Sequence, residues 1–396
     1  MRRFEATIDA YHQAHPPGRL QARDAEALAR ALEGFLDIRL RRWQDASLAD
    51  CAAMISYALL RAATARWLPQ AFAESRHQAL LEGLTELPSN RPVVELWALA
   101  QRLAAVPTVA EALARMPAAE LATRLDEPAL HPLGAELRAY IEQWGFRSSR
   151  ELTLLAPTPH EDPVGTLELL RRYAQLDGAG PEQQLRERRR QRERVERKLL
   201  ETLASDRRSG WLAGRLRRAV YGLLSRATQE SVKLRERVRF KQALLYACLR
   251  HVALACGTLL AQRGELAERD DVFMLTMAEL IALLRGQYLS PESLGALVEA
   301  RRRAMREAAA LEPPDVLELQ PGQTLRAPNA PPPDGAAPAG TPFPRSFQGT
   351  AACAGLYEGE AIVLDDTSQI HRMSPGQVLI TRQTDPGWAS AFFLAK

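Results

Sequence analysis

Apolar residues recur through most of the chain at intervals of three and four, the spacing that aligns one face of an α-helix. Between 24 and 43 the pattern runs through Leu28, Leu32, Phe35 and Leu36 and on to Ile38 and Leu40. From 47 to 68, SLADCAAMISYALLRAATARWL is apolar over a wider arc, which predicts a well-buried helix with Ser47 as its N-cap. Pro88, Pro92, Pro107 and Pro117 divide the next stretch into shorter helices. Asp162 and Pro163 provide a cap and first turn ahead of VGTLELLRRYAQL. Phe240, Leu244, Cys248, Val252 and Leu259 mark one face of a long helix that ends near Gly264. Thr276 and Glu279 have capping-box spacing for a further helix, with Gly286 as its stop.

After Leu311 the texture changes. Residues 313–344 hold ten of the 26 prolines, with Ala and Gly between them, and predict an extended, semi-rigid tether. Beyond it come Gly-punctuated strands, then Val378 to Arg382 as a short buried strand. Asp385 follows as an N-cap and Pro386 as the first helical residue, with Trp388, Phe392, Phe393 and Leu394 on the apolar face. A unit of about 50 residues supports only a marginal core of its own. The expected architecture is mainly α: a helical domain over 1–312, a Pro/Ala-rich linker over 313–344, and a small β/α unit over 345–396.

Composition narrows the function classes. Hydrophobic content of 46% with 25% charged residues is ordinary for a soluble globular protein, and a net charge of +4 on so long a chain argues against obligatory nucleic-acid binding. The basic run RERRRQRERVERK (186–198) carries eight positive and three negative residues, and no aromatics to stack on bases. It reads as a solvated helix face laced by pairs such as Glu193 with Arg197. Cys51, Cys248, Cys256 and Cys353 have no metal-ligand spacing, which fits a reducing cytoplasm. The N-terminus lacks the apolar core of a signal peptide, and Ala243–Gln262, the most apolar long run, carries Arg250 and His251, so no membrane span is expected. His160, His251 and His371 stand alone in sequence and read as packed or surface residues; no metal site is expected.

Four stretches carry a resemblance. WGFRSSRELTLLAPTPHEDP (144–163) is similar to a G-[HYF]-R-G-x-x-E-L-x-x-x-x-P-x-W-x-E-D-P segment, with Ser148 at the second glycine and His160 at the aromatic. LRERVRFKQALLYACLR (234–250) resembles an R-E-x-x-[KR] helix. GELAERDDVFMLTMAEL (264–280) follows D-D-[VI]-F-x-L-T-x-x-E-L. FQGTAACAGLYEGEAIVLDD, continued by MSPGQVLITRQTDPGW, resembles the opening of a mobile phosphohistidine domain, with Cys353-Ala354 in place of Ser-Pro. In this order they resemble the phosphoenolpyruvate-utilising enzyme family, particularly its phosphoenolpyruvate synthase and rifampicin phosphotransferase branch.

The resemblance implies an enzyme in which an ATP-grasp domain phosphorylates a histidine on a swivelling domain, and the tethered carrier delivers the phosphoryl group to a distant acceptor. Tethering raises the effective concentration of the carrier at each site. The family's carrier histidine sits in a G-G-x-x-S-H segment after the helix that here reaches Lys396. The expectation is therefore a fragment: a helical acceptor-binding region and a truncated swivelling domain, without carrier histidine or ATP-grasp domain and not active alone. No catalytic residue and no bound cofactor are expected in this chain; ATP and Mg2+ belong to the complete family enzyme. Such a fragment is either a truncated reading frame or one piece of a split protein; the expected partners are a small-molecule acceptor and, in the split case, a separate ATP-grasp and histidine-bearing chain, with no nucleic acid and no membrane.

Arg235 and Arg239, one turn apart, could present two planar forks to phosphate oxygens, and they match the family's Arg and Lys on the phosphoryl path. The alternative is that both are solvated or paired with neighbours such as Glu236, in a helical module that only binds or scaffolds. Arg147 with Glu151 reads as an ion pair fixing a loop. Glu161 and Asp162 read as first-turn charges on a helix dipole.

Overall fold

Asp24 accepts from the Ala27 N–H, and the helix it caps runs as the apolar spacing requires. Prolines stand at or beside the starts of many others, where a missing N–H costs no hydrogen bond. The computed structural model describes residues 1–84, 87–147, 151–176, 178, 180–205, 211–287, 290–311, 356–384 and 386–395. Its helices are α1 (Arg2–Ala14), α2 (Pro17–Leu20), α3 (Ala25–Arg41), α4 (Gln44–Trp67), α5 (Pro69–Ala73), α6 (Asn90–Ala104) and α7 (Pro107–Arg115). They continue with α8 (Ala118–Thr123), α9 (His131–Trp144), α10 (Val164–Ala174), α11 (Pro181–Ala204), α12 (Trp211–Gln262), α13 (Met277–Leu284) and α14 (Pro291–Ala309). With 73% helix and 2% strand, the fold is mainly α.

The long helix is longer than its apolar face suggested. It starts at Trp211, not near Phe240, and its 52 residues span about 78 Å. Gly264, at φ +74°, takes the left-handed turn after its end, and Gly286 does the same after α13 at φ +73°. The capping box forms as spaced: the Thr276 hydroxyl accepts from the Glu279 N–H, and the Glu279 carboxylate accepts from the Thr276 N–H.

Three apolar clusters hang on this frame. The first packs α1 and α3 against the second half of α12, with Phe4, Ile8, Leu28, Leu32, Leu245 and Cys256 buried in it. The second gathers α6, α7, α9 and α10 around Leu96, Leu133, Leu167 and Tyr173. The third joins α4 to α11 and the first half of α12, where Thr64 and Tyr221 share a buried hydrogen bond at 2.9 Å.

The helix over α4 departs from expectation twice. It begins at Gln44, so Ser47 is not its cap; Trp43, packed edge-on against Phe4 at 5.1 Å, fixes the start instead. Nor is it well buried. Ala46, Ala49, Ala53, Leu60 and Ala63 form the inner seam, while Leu48, Met54, Ile55 and Leu59 face outward at 53–72% exposure. Two helices, α4 and α12, are also long and apolar enough to cross a membrane by length and composition, where the sequence led us to expect no span. The apolar window of α12 is 78% buried inside the protein and that of α4 33%.

The C-terminal segment folds around β1 (Ala361–Val363) and β2 (Val378–Ile380), two parallel strands in register Ala361 to Val378 and Val363 to Ile380. A 3-10 turn lies between them, and a second, Pro386–Phe393, replaces the expected α-helix. Leu364, Ile370, Met373, Trp388 and Leu394 are buried in the second cluster beside Leu167 and Leu170 of α10, so this segment shares its core with the helices. The linker, Asp385, Ser148 and Cys353 lie outside the described residues, as does the side chain of His371.

Candidate functional site

Arg250 sits in the most apolar stretch of α12, where a guanidinium cannot be left without partners. It has a full set. Its Nε and Nη2 donate to the two Glu161 oxygens at 2.7 and 2.6 Å, its Nη1 donates to the Leu154 carbonyl, and its cation lies 4.8 Å from the centroid of the Phe273 ring. The side chains are 6% and 20% exposed. Glu161 also accepts from the Thr158 N–H and hydroxyl. Burial alone raises the Glu161 carboxyl, but the hydrogen bonds from Arg250 and Thr158 outweigh it and hold the group below its ordinary range.

This corrects the reading of Glu161 as a charge on a helix dipole. Its carboxylate turns away from α10 and clamps the 151–161 loop to α12. Asp162 alone attends the helix start, accepting from the Val164 N–H at 3.0 Å, and Pro163 is the cap residue rather than the first helical one. One turn of the loop earlier, Arg147 and Glu151 pair at 2.9 Å with side chains 10% and 4% exposed, and the Arg147 cation lies 5.5 Å from the centroid of the Phe240 ring. Gly145 lets α9 end tightly here: a Cβ at that position would stand 2.8 Å from His160.

The histidines are not isolated. His160 on the loop and His251 on α12 meet edge to face with centroids 5.5 Å apart, and His251 Nε2 lies 3.2 Å from the Thr158 hydroxyl. From α1, His12 Nδ1 approaches Cys248 Sγ at 3.1 Å. Burial lowers all three imidazoles, His251 to about 4, where His160 adds repulsion. Burial also pushes the Cys248 thiol up to about 12. At neutral pH the group is therefore three uncharged imidazoles and a thiol, packed beside a fixed ion pair. Among the described residues no three His, Cys, Asp or Glu side chains converge as a metal ion requires.

Arg235 and Arg239 lie farther back on α12. Arg235 Nε donates to Asp50 of α4 at 3.1 Å, and its side chain is 35% exposed. Arg239 is exposed. Glu236 accepts from Ser89 rather than from either arginine. The two guanidiniums thus differ: one is held against α4, the other is free to reach solvent. A cavity of about 340 Å³ opens between the 264–271 turn and α14, lined by Glu265, Asp271, Glu299 and Arg302, with Asp271 and Arg302 paired. The basic run on α11 is solvated as its spacing suggests, through Arg186–Glu182 and Arg189–Glu193, except that Arg192 turns inward to the carbonyls of Glu82 and Gly83.

Sequence reasoning missed Arg250, His12 and Thr158. The only available signal was Arg250 itself, a charge inside LLYACLRHVALACG that demands a carboxylate somewhere. Its partner is 89 residues away, beyond the reach of spacing rules.

A helical platform that clamps the 151–161 loop and presents arginines from one long helix is the architecture seen. The chain resembles the phosphoenolpyruvate-utilising enzyme family. Residues 47–236 match the family model for the rifampicin phosphotransferase fourth domain. A rifampicin phosphotransferase of Streptomyces sviceus is 29% identical over 280 residues, 68% of this chain and 29% of the relative. A second, from a Streptomyces species, is 28% identical over 273 residues with the same coverages. An uncharacterized phosphotransferase, YvkC of Bacillus subtilis, is 25% identical over 266 residues, 65% of this chain and 29% of its own length. The chain thus spans under a third of the length of these relatives.

Proposed function

We propose that this chain supplies the acceptor-holding helical part of an ATP-dependent phosphotransferase, with Arg235 and Arg239 on the path of the transferred phosphoryl group. The observation that carries the reading is the match over 47–236 to a domain of rifampicin phosphotransferase, which includes Arg235 and stops three residues before Arg239 on the next turn of α12. Arg239, exposed, is the fork available to phosphate oxygens, while the Asp50 contact orients Arg235 beside it. The Arg250–Glu161 and Arg147–Glu151 pairs act as positioning groups that fix the loop under this turn. The C-terminal strands belong to a phosphohistidine-type swivelling module. ATP and Mg2+ are used by the ATP-grasp and histidine-bearing portions of the complete enzyme in the cytoplasm, and the acceptor is a small molecule bearing a hydroxyl.

Reconstitution tests this reading. The chain is mixed with the ATP-grasp and histidine-bearing portions of a rifampicin phosphotransferase, γ-labelled ATP, Mg2+ and rifampicin, the antibiotic that names those relatives. Labelled rifampicin is expected with the wild-type chain and reduced labelling, by about 10-fold or more, with Arg239→Ala. Absence of any labelled acceptor across hydroxyl-bearing small molecules overturns it. A second reading, a non-catalytic binding or scaffold module, is favoured by the Arg235–Asp50 ion pair, which gives that arginine a purely structural job. It predicts partner or ligand binding that is indifferent to Arg239→Ala.

A further inference from the structure

Three elements meet on one stretch of α12. The 151–161 loop is tied to Arg250 by the Leu154 carbonyl and the Glu161 carboxylate, and to His251 by Thr158 and His160. Leu152 and Leu155 of the same loop face outward and add nothing to this attachment. From α1, His12 reaches the same stretch beside Cys248. Imidazoles from α1, the loop and α12 thus lie next to one ion pair, and none of the three is exposed.

The hydrogen bonds leave the loop and α12 rings no place for a second proton. Thr158 has one hydroxyl hydrogen and gives it to Glu161 Oε1 at 3.0 Å, so its oxygen accepts from His251 Nε2–H and fixes that tautomer. His251 Nδ1 is then bare, and among the described residues no carboxylate or carbonyl stands against it. The same holds for both ring nitrogens of His160. The surrounding charges give little help. Glu161 is matched by Arg250, with Arg269 of the 269–274 turn also facing it, and Asp9 of α1 is matched by Lys241. Glu142, exposed on α9, adds a carboxylate toward His12 and His160, whereas His251 faces Arg250 and the other two imidazoles.

We propose that this junction is an acid-released latch, in which protonation of His251 and His160 sets two cations edge to face beside Arg250 and lifts the 151–161 loop off α12. The Arg250–Glu161 pair sets how often the loop lifts at neutral pH, and the imidazoles set how steeply that rises with acid. This reading does not depend on the phosphotransferase assignment. His251 is held to about 4 while the loop is docked and returns toward its ordinary 6.5 when the ring meets water, so the lifted state gains about 30-fold between pH 7.5 and 5.0.

Amide hydrogen exchange of the whole chain at those two pH values, read by mass spectrometry and corrected for the intrinsic rate, measures the opening. The loop amides are expected to open about 30-fold more often at pH 5.0, while the 240–260 turns of α12 stay protected at both. His251→Gln keeps an N–H for the Thr158 hydroxyl but has no proton to gain, and should cut the ratio several-fold. Adding His160→Gln should bring it within about 2-fold of unity. Arg147→Met, which loosens the loop without touching the imidazoles, should raise opening at both pH values and keep the ratio. Circular dichroism at pH 7.5 checks that each variant is folded. A wild-type ratio below about 3 overturns the latch with no variant needed. So does a ratio that survives the double substitution, or a loop that opens only together with α12.

Discussion

Replacing Glu161 by Gln leaves the Arg250 cation with its shape partner but without its counter-charge. Arg250 is 6% exposed and cannot rotate to water, because its Nη1 is held by the Leu154 carbonyl and its plane by Phe273. Breaking a buried pair from one side costs about 3–5 kcal/mol; the 20% exposure of Glu161 places this case near 3 kcal/mol. Urea unfolding followed by circular dichroism measures it, with Arg250→Met as the reciprocal single variant. The double variant Arg250→Met with Glu161→Leu should lose less than either alone, because no unpaired charge remains. The pH dependence gives an independent readout. The folded-state carboxyl is depressed below its unfolded value of about 4.5, so its contribution is complete above that pH and is lost as the pH falls through the lower folded value. Glu161→Gln should flatten the wild-type stability profile in that acid window. A Gln variant within about 1 kcal/mol of wild type, or a double variant as unstable as the sum of the singles, would refute the clamp.

Three further outcomes follow from the same geometry. His251 is held down to about 4 by burial, so the unfolded chain binds its proton first; this residue should cost stability between about pH 6.5 and 4, by up to roughly 3 kcal/mol, and His251→Phe should shallow the slope that it shares with His12 and His160 in urea titrations. Gly257→Ala puts a Cβ 2.1 Å from the Arg269 carbonyl oxygen, so α12 and the 269–274 turn must separate; a loss of about 1–3 kcal/mol in thermal or urea melts checks it. Arg147→Met breaks the pair with Glu151 and should free the 151–161 loop, read as faster amide exchange there while α12 stays protected.

Local chemistry was the legible part of the fold. Thr276 and Glu279 sit three apart and close the box their spacing announces, because both partners lie within one turn. Gly264 and Gly286 likewise act on their own neighbours. What failed was long-range. Ser47 has the right side chain for a cap, but Trp43 packing on Phe4 moves the start of α4 one turn earlier. The apolar breadth of 47–68 is real, yet Leu48, Met54, Ile55 and Leu59 face outward, because breadth does not say which arc the rest of the fold covers. Glu161 and Asp162 are adjacent and chemically alike; which one meets α10 and which meets Arg250 depends on the course of a loop that no periodicity encodes. His160 and His251 looked solitary for the same reason, since 91 residues separate them along the chain.

The shared core of the C-terminal strands bears on any shuttling role. Were that segment to travel as a unit, its two 3-10 turns would lose their packing on α10 and α6, and the apolar surface buried there would meet water. At about 1.5–3 kcal/mol for each large apolar side chain, uncovering even two of them costs about 3–6 kcal/mol, partly offset by regained chain freedom. An arm moored this firmly rests almost always at berth, so departure must be driven by something that binds the vacated helices or the released strands more tightly than they bind each other.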